Sequence, residues 1–178
     1  MKEQLPVIYI SFLLVLLAGT AVFLFQQVFR TRRLENQLEK LQKKLKGGDG
    51  TSKDYYELGS IYLKKKLYVQ AAQVLQKGLK SASKEEIEPE NLALIYNALG
   101  FSYLSREQYD LAIRNYKEAL KLNPEYAIAN NNLANVYEKK TMDAKALETY
   151  KQTLQYAPEN NIAKRRIEAL QKRFATPE

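Results

Sequence analysis

The first strong pattern along the chain is an apolar segment near its start. No charged residue occurs between Leu5 and Phe25, a stretch of 21 residues. At about 1.5 Å of rise per residue, an α-helix of this length measures about 32 Å, close to the thickness of the hydrocarbon core of a bilayer. Most of the stretch is Leu, Ile, Val or Phe, which favour insertion into a membrane. We therefore predict a single transmembrane helix as an N-terminal anchor within residues 1–29.

Two other interpretations of the apolar segment fit less well. A cleaved signal peptide would have a more basic start than Lys2 and Glu3, and a shorter apolar run. The small residues Ala18–Ala21, which could form a cleavage site, also lie inside the run. A buried helix of a soluble domain would be apolar on one side only, whereas this segment is apolar all round. The pattern favours retention as an anchor.

A second helical pattern follows over residues 30–46. Four leucines are spaced 4, 3 and 4 residues apart, as on one side of a helix: Leu34, Leu38, Leu41 and Leu45. The stripe is too short to indicate a coiled coil. It leaves three interpretations open, since it could pair two chains as a homodimer, lie on the membrane, or pack on the next domain. The glycine-rich residues 47–52 then predict a flexible linker.

The positive charge of the chain is concentrated in the same juxtamembrane helix. Residues 30–46 hold seven Lys and Arg against two Glu, which is +5 of the net charge of +8. Since basic flanks stay on the cytoplasmic side of a membrane, we expect the part after the anchor on the cytoplasmic or stromal side. Membrane lipid should then contact Leu5–Phe25 and, through anionic headgroups, Arg30–Lys46. A solvated helix face is the alternative for the basic segment.

A recurring phrase organises the rest of the chain. It is ELGSIYL from Glu57, ALGFSYL from Ala98 and NLANVYE from Asn132, with starts 41 and 34 residues apart. We number a 34-residue unit so that the Gly or Ala after the Leu is position 8. Positions 4, 7, 8 and 11 then share one face of a first helix, and positions 20, 24 and 27 share one face of a second. The pattern predicts three helix–turn–helix repeats, at about residues 52–85, 93–126 and 127–160.

Small residues recur where the two helices of a unit should cross. Position 8 is Gly59, Gly100 and Ala134 in the three units, and position 20 is Ala71, Ala112 and Ala146. We expect position 8 to face position 20, so that the helix axes approach closely. Each unit leaves an apolar face that only the next unit can bury.

Two segments depart from the 34-residue period. Seven extra residues fall around the acidic stretch Ser83–Asn91, and we expect a longer second helix in the first unit and a longer turn. An acidic docking site is the alternative. Residues 161–174 predict one more helix, whose apolar residues can face the stack while Lys, Arg and Glu face solvent. Such a helix suits a terminal cap.

The repeated pattern resembles the tetratricopeptide repeat, a helix–turn–helix unit with small residues at positions 8 and 20. The resemblance implies an all-α fold, in which the transmembrane helix precedes an α-solenoid of three repeats and a capping helix over residues 53–174. It also implies a groove lined by positions 2, 5, 9 and 12 of the first helices. The candidate partner-binding residues are Tyr56, Ser60, Asn97, Phe101, Asn131, Asn135 and Arg165. The asparagine amides could bind a peptide backbone, or could be ordinary hydrated positions.

Some repeats of this kind bind the C-terminal carboxylate of chaperones through a set of Lys, Asn and Arg residues. At the corresponding positions this chain has Tyr56, Ser60, Ile128 and Asn132. We therefore expect no binding of chaperone tails.

Composition argues against catalysis. The chain has no Cys and no His, which removes thiolate nucleophiles, disulfides, the usual general base and the commonest metal ligands. It also has no Gly-rich phosphate-binding loop. Glu107, Glu138 and Glu148 are spaced as solvated helix positions. We predict no enzyme activity, no catalytic residue, no metal or cofactor, and no binding of nucleic acid.

The order of these parts supports a narrower resemblance. An anchor, the basic helix RTRRLENQLEKLQKKLK, three repeats and the closing AKRRIEALQKR resemble the photosystem I assembly factors of cyanobacteria and plastids. This resemblance implies a scaffold at the thylakoid membrane, with photosystem I subunits or other assembly factors as partners. A general membrane-anchored adaptor of another complex, or of a secretion or envelope system, is the alternative.

Overall fold

The computed structural model describes residues 5–48 and 50–175, and within them the chain is helical without any strand. Eight helices occur there: α1 Leu5–Lys46, α2 Ser52–Lys64, α3 Tyr68–Ala82, α4 Pro89–Leu104, α5 Tyr109–Leu122, α6 Ala127–Lys139, α7 Asp143–Tyr156 and α8 Asn161–Ala175. The chain divides into two compact units, residues 1–43 and 44–178. The predicted all-α fold is confirmed. Lys2 and Glu3, used in the signal-peptide argument, lie outside the described residues.

Helix α1 runs for 42 residues without a break between the apolar and the basic segments. Its apolar side chains from Tyr9 to Phe29 are exposed on all sides, as Phe12 at 68% and Val15 at 71% show, whereas Leu41 of the leucine stripe is buried. Within the described residues, α1 is the helix that is long and apolar enough to cross a membrane, by length and composition. A lipid bilayer would shield this apolar surface from water.

Each repeat turns from its first helix to its second through a left-handed residue at position 15. These residues are Lys66, Glu107 and Thr141, with φ of 59°, 58° and 56°. The next N–H donates to a carbonyl five residues back: Leu67 to Tyr62 at 2.8 Å, Gln108 to Tyr103 at 2.9 Å and Met142 to Tyr137 at 2.8 Å. This Schellman arrangement satisfies carbonyls at the end of the first helix and directs the chain into the second.

The close approach of the two helices in a repeat differs in detail from the expected one. A Cβ atom added to Gly100 would lie 2.6 Å from Cε1 of Tyr116, and one added to Gly59 would lie 2.6 Å from Cδ2 of Leu75. Tyr116 and Leu75 occupy position 24. Position 8 therefore packs most closely against position 24, because the larger side chain there reaches across the interface while the alanine at position 20 ends at its Cβ.

The seven extra residues lengthen the loop as expected, but they extend α3 by only one residue. Helix α4 begins four residues earlier than α2 and α6 do within their repeats, the loop 83–88 has two residues more than the loops 123–126 and 157–160, and α3 gains one residue. Pro89 stands in the first turn of α4. Proline fits there because an N–H at this position would have no partner within the helix.

The capping helix α8 is tied to the third repeat by a shielded ion pair. Arg166 donates from Nε to Oε1 of Glu138 at 2.9 Å, and from Nη2 to Oε2. The hydroxyl of Tyr150 donates to the same carboxylate at 2.8 Å. The Glu138 side chain is only 6% exposed, so the expectation of a solvated position is wrong for this residue, whereas Glu107 and Glu148 are exposed. Burial raises the pKa of Glu138, but the bonds from Arg166 and Tyr150 outweigh burial and hold this pKa below its usual 4.5.

The second repeat lacks such an acceptor at the same place. Tyr116, which corresponds to Tyr150, is fully buried, and its hydroxyl has no hydrogen-bond partner within the described residues. Leu104 occupies position 12 of this repeat, where Glu138 stands in the third. Burial raises the pKa of Tyr116 far above its usual value. The hydroxyl therefore stays protonated, and an unsatisfied buried group of this kind costs about 1–3 kcal/mol.

The same substitution in neighbouring repeats should therefore have opposite effects. We predict that Tyr150→Phe lowers the free energy of unfolding by about 1.5–3 kcal/mol, because it removes a hydrogen bond to a charged group. Tyr116→Phe should leave it unchanged or raise it, since it removes a hydroxyl without a partner. Chemical denaturation of both full-length variants measures the difference, and equal losses would contradict the assignment.

The Glu138 carboxylate also predicts a dependence of stability on pH. A carboxyl whose pKa is lowered on folding stabilises the fold above its unfolded pKa, near 4.5, and this stabilisation is lost as the pH falls through the folded value. We expect Glu138→Gln to destabilise the protein at pH 7, with a difference from wild type that shrinks below about pH 4.5. Exposed Glu148→Gln is the control. A difference for Glu138→Gln that stays constant from pH 7 to pH 3 would refute the role of the charge.

Candidate functional site

The first helices of the repeats carry the predicted groove. Helix α2 contacts α4, and α4 contacts α6, so these helices form a continuous inner layer. The candidate residues are distributed along it: Tyr56 and Ser60 on α2, Asn97 and Phe101 on α4, Asn131 and Asn135 on α6, and Arg165 on α8. Phe101 is 39% exposed and its ring meets that of Tyr68 edge to face, 6.4 Å between centroids. Arg165 is exposed, and the remaining candidates are half-buried.

Two of the three asparagines are engaged within the stack. Asn97 donates to the hydroxyl of Tyr126 at 3.1 Å and accepts from Nδ2 of Asn132 at 3.0 Å. These bonds tie α4 to α6 and to the loop before it. The side-chain carbonyl of Asn97 thus accepts one hydrogen bond, and one of its two amide N–H groups donates another.

Asn131 is engaged through its amide N–H, while its Oδ1 is buried without a hydrogen-bond partner among the described residues. It donates to Oδ1 of Asn160 at 3.1 Å, and the same oxygen accepts from the backbone N–H of Ala163 at 3.0 Å, at the start of α8. Asn135 makes no side-chain hydrogen bond to the described residues. Asn97 and Asn131 therefore set the spacing of neighbouring repeats, and Asn135 retains its full capacity to bind a partner.

An apolar line runs along position 2 of the later first helices. Leu94 is half-buried, while Ile128 is 59% and Ile162 is 55% exposed. Exposed side chains of this size, repeated along one surface, offer a partner apolar contacts at the spacing of neighbouring helices, about 8–10 Å. The surface thus combines aliphatic contacts with a polar row.

A cavity of about 340 Å³ opens between α2 and the start of α4. Its walls are formed by Ser52, Lys53, Tyr56, Glu57, Ile87, Asn91, Leu94 and Ile95. Ile87 and Asn91 belong to the residues inserted into the 34-residue period. The sequence leaves an acidic docking site open as the alternative for this insertion, but its pattern of an extended helix and a longer turn does not show the apolar cavity. An isoleucine within an acidic stretch is the signal that could have shown it.

Glu85, one of the acidic residues of the insertion, has a structural role. The carboxylate of Glu85 accepts from the backbone N–H of Ser52 at 2.9 Å, from the Ser52 hydroxyl at 2.7 Å and from the Ser81 hydroxyl at 2.7 Å. It caps the start of α2, beside the capping box that Thr51 and Asp54 form. The hydroxyls of Ser81 and Ser52 lower the pKa of Glu85. The insertion therefore both fixes α2 and builds one wall of the cavity.

The arrangement suits recognition of protein surfaces or peptides. It offers amides, aromatic rings and aliphatic side chains at the repeat spacing. Within the described residues there is no group of three or more acidic side chains that could hold a metal ion. Repeat stacks of this type use such extended inner surfaces for binding.

Comparison with known families agrees with the repeat pattern. Models of the tetratricopeptide repeat match residues 55–85 and 131–162, and a TPR repeat model matches residues 100–140. Among solved structures, MamA resembles the chain with a TM-score of 0.73 over 82% of both chains, at 24% identity. This likeness shows the fold alone.

Relatives from several organisms match the chain along most of its length. The ycf37 protein of Cyanophora paradoxa is 37% identical, over 92% of this chain and 93% of its own. The chloroplastic tetratricopeptide repeat domain-containing protein PYG7 of Arabidopsis thaliana is 35% identical over 93% of this chain and 54% of its own. The chain therefore belongs to the ycf37 family of tetratricopeptide-repeat proteins.

Proposed function

We propose that this protein is a membrane-anchored scaffold that assembles or stabilises photosystem I at the thylakoid membrane. The observation that carries the proposal is the match to the chloroplastic protein PYG7 over 93% of the chain. A match of that extent includes most of α1 as well as the repeats. It supports a shared plan of anchor and stack in a plastid relative.

The physical features support the role of a scaffold. The exposed apolar side chains of α1 favour insertion into a bilayer, and the seven basic residues in 30–46 favour a stromal or cytoplasmic position for the repeats. Anionic lipid headgroups would contact these basic residues. An anchored binding surface raises the local concentration of a partner subunit near the membrane. The inner surface then holds that subunit through contacts that need no catalytic residue.

Isolation from native membranes tests this proposal. We expect tagged full-length protein, purified from its own membranes in mild detergent, to bring down photosystem I subunits with the absorption spectrum of chlorophyll. Ile128→Glu, on the inner surface, should reduce this capture at least tenfold. Leu111 on α5 is 37% exposed. Leu111→Glu likewise replaces an aliphatic side chain with a carboxylate, but on the second helix of a repeat, and should leave the capture of photosystem I subunits unchanged.

A different result would change the assignment. A colourless eluate with other membrane proteins would overturn the photosystem I role and favour a general membrane-anchored adaptor. Equal capture by both Glu variants would remove the inner surface from the proposal.

A further inference from the structure

The cavity between α2 and α4 has a chemical character that the groove as a whole lacks. Its walls include Tyr56, Ile87, Leu94 and Ile95. A volume of about 340 Å³ is at the low end of the range for ligand pockets, about 300–1,000 Å³. It suits one or two large apolar side chains that anchor a longer segment, as the central contacts of protein interfaces do.

The charged groups around this cavity are mostly acidic. Glu57 lines the cavity, and Glu86, Glu88 and Glu90 are exposed neighbours of the lining residues Ile87 and Asn91. Within the described part of the chain, these four carboxylates have no ion-pair or side-chain hydrogen-bond partner. Lys53 and Lys84 are the opposing cations nearby in the chain, so negative charge is in excess.

We infer that this cavity binds a segment of a partner protein in which a large apolar side chain is flanked by lysine or arginine. The apolar side chain fills the cavity between Tyr56 and Leu94. The flanking cations are attracted to the four carboxylates of Glu57, Glu86, Glu88 and Glu90. Salt screens this attraction, so it should weaken as the ionic strength rises. The excess of carboxylates disfavours an acidic peptide, and equally disfavours an anionic membrane surface at this place.

The inserted residues make this site specific to the first repeat junction. The other junctions have loops of four residues, 123–126 and 157–160, and contribute no counterpart of Ile87. The inference rests on the proposed function as a scaffold and names the chemistry of the partner segment. The predicted binding depends on the basic and apolar residues of the segment and is the same whichever membrane complex contains it.

Three fluorescein-labelled peptides test the inference on full-length protein in phosphatidylcholine nanodiscs. They are GSKKLFKKSG, GSEELFEESG and GSKKAAKKSG, which separate the charge from the apolar anchor. Fluorescence anisotropy should show the first peptide binding at least tenfold more tightly than either of the others. Its affinity should fall with rising salt, and empty nanodiscs correct for binding to lipid.

Matched variants locate the binding. Leu94→Ser should weaken the first peptide at least tenfold, and Leu111→Ser, on α5 and outside the inner surface, should not. The triple change Glu86→Gln, Glu88→Gln and Glu90→Gln should weaken it several-fold and reduce the salt dependence. The control triple change Glu125→Gln, Glu148→Gln and Glu168→Gln alters exposed acids elsewhere by the same net charge. Circular dichroism confirms that each variant is folded.

Several results would overturn the inference. They are equal binding of the three peptides, preference for the acidic peptide, or retention of affinity by Leu94→Ser. A peptide-free dimer that Leu94→Ser dissociates in light scattering would assign the cavity to a second copy of the chain and also overturn it. Failure of the proposed function is seen separately: wild-type protein would then give a colourless eluate from native membranes while peptide binding persisted.

Discussion

The solenoid depends on how closely the two helices of each repeat approach. In the second repeat, α4 passes so near α5 that the place of a Cβ on Gly100 is taken by the ring of Tyr116. The first repeat makes the same contact between Gly59 and Leu75. This approach sets the width of each repeat and the position of its first helix. Since the inner surface is built from first helices, the position of its binding side chains relative to the second helices follows from this contact.

Polar bonds between repeats then fix their register. Asn97 joins α4 to Asn132 on α6, Asn131 joins α6 to Asn160 before α8, and Glu138 joins α6 to Arg166 on α8. Apolar contacts alone are tolerant of small shifts, whereas buried or half-buried polar groups need their partners in place. The groove is thus held by side chains that also line it, and this limits what remains free for a partner.

The periodic parts of the molecule could be predicted from the sequence, because a helix with one buried face repeats its apolar residues every 3.6 positions. The contacts across repeats could not. Asn97 and Tyr126 are 29 residues apart, and nothing near Asn97 in the sequence shows that its amide is engaged. Glu138 has the spacing of a solvated residue but faces Arg166 from the cap. Pro89 lies in the inserted stretch Ser83–Asn91 and begins α4, because proline is favoured in a first helical turn.

The stability of Gly100→Ala tests most directly whether close helix approach governs this fold. Helix propensity alone would raise the free energy of unfolding by about 1 kcal/mol. Overpacking against Tyr116 should lower it by about 1–3 kcal/mol. We predict a net decrease for the full-length protein in denaturant unfolding. Ala134→Gly at the same position of the third repeat should also lower the free energy of unfolding, through helix propensity and the loss of a buried methyl group. An increase for Gly100→Ala would contradict the account.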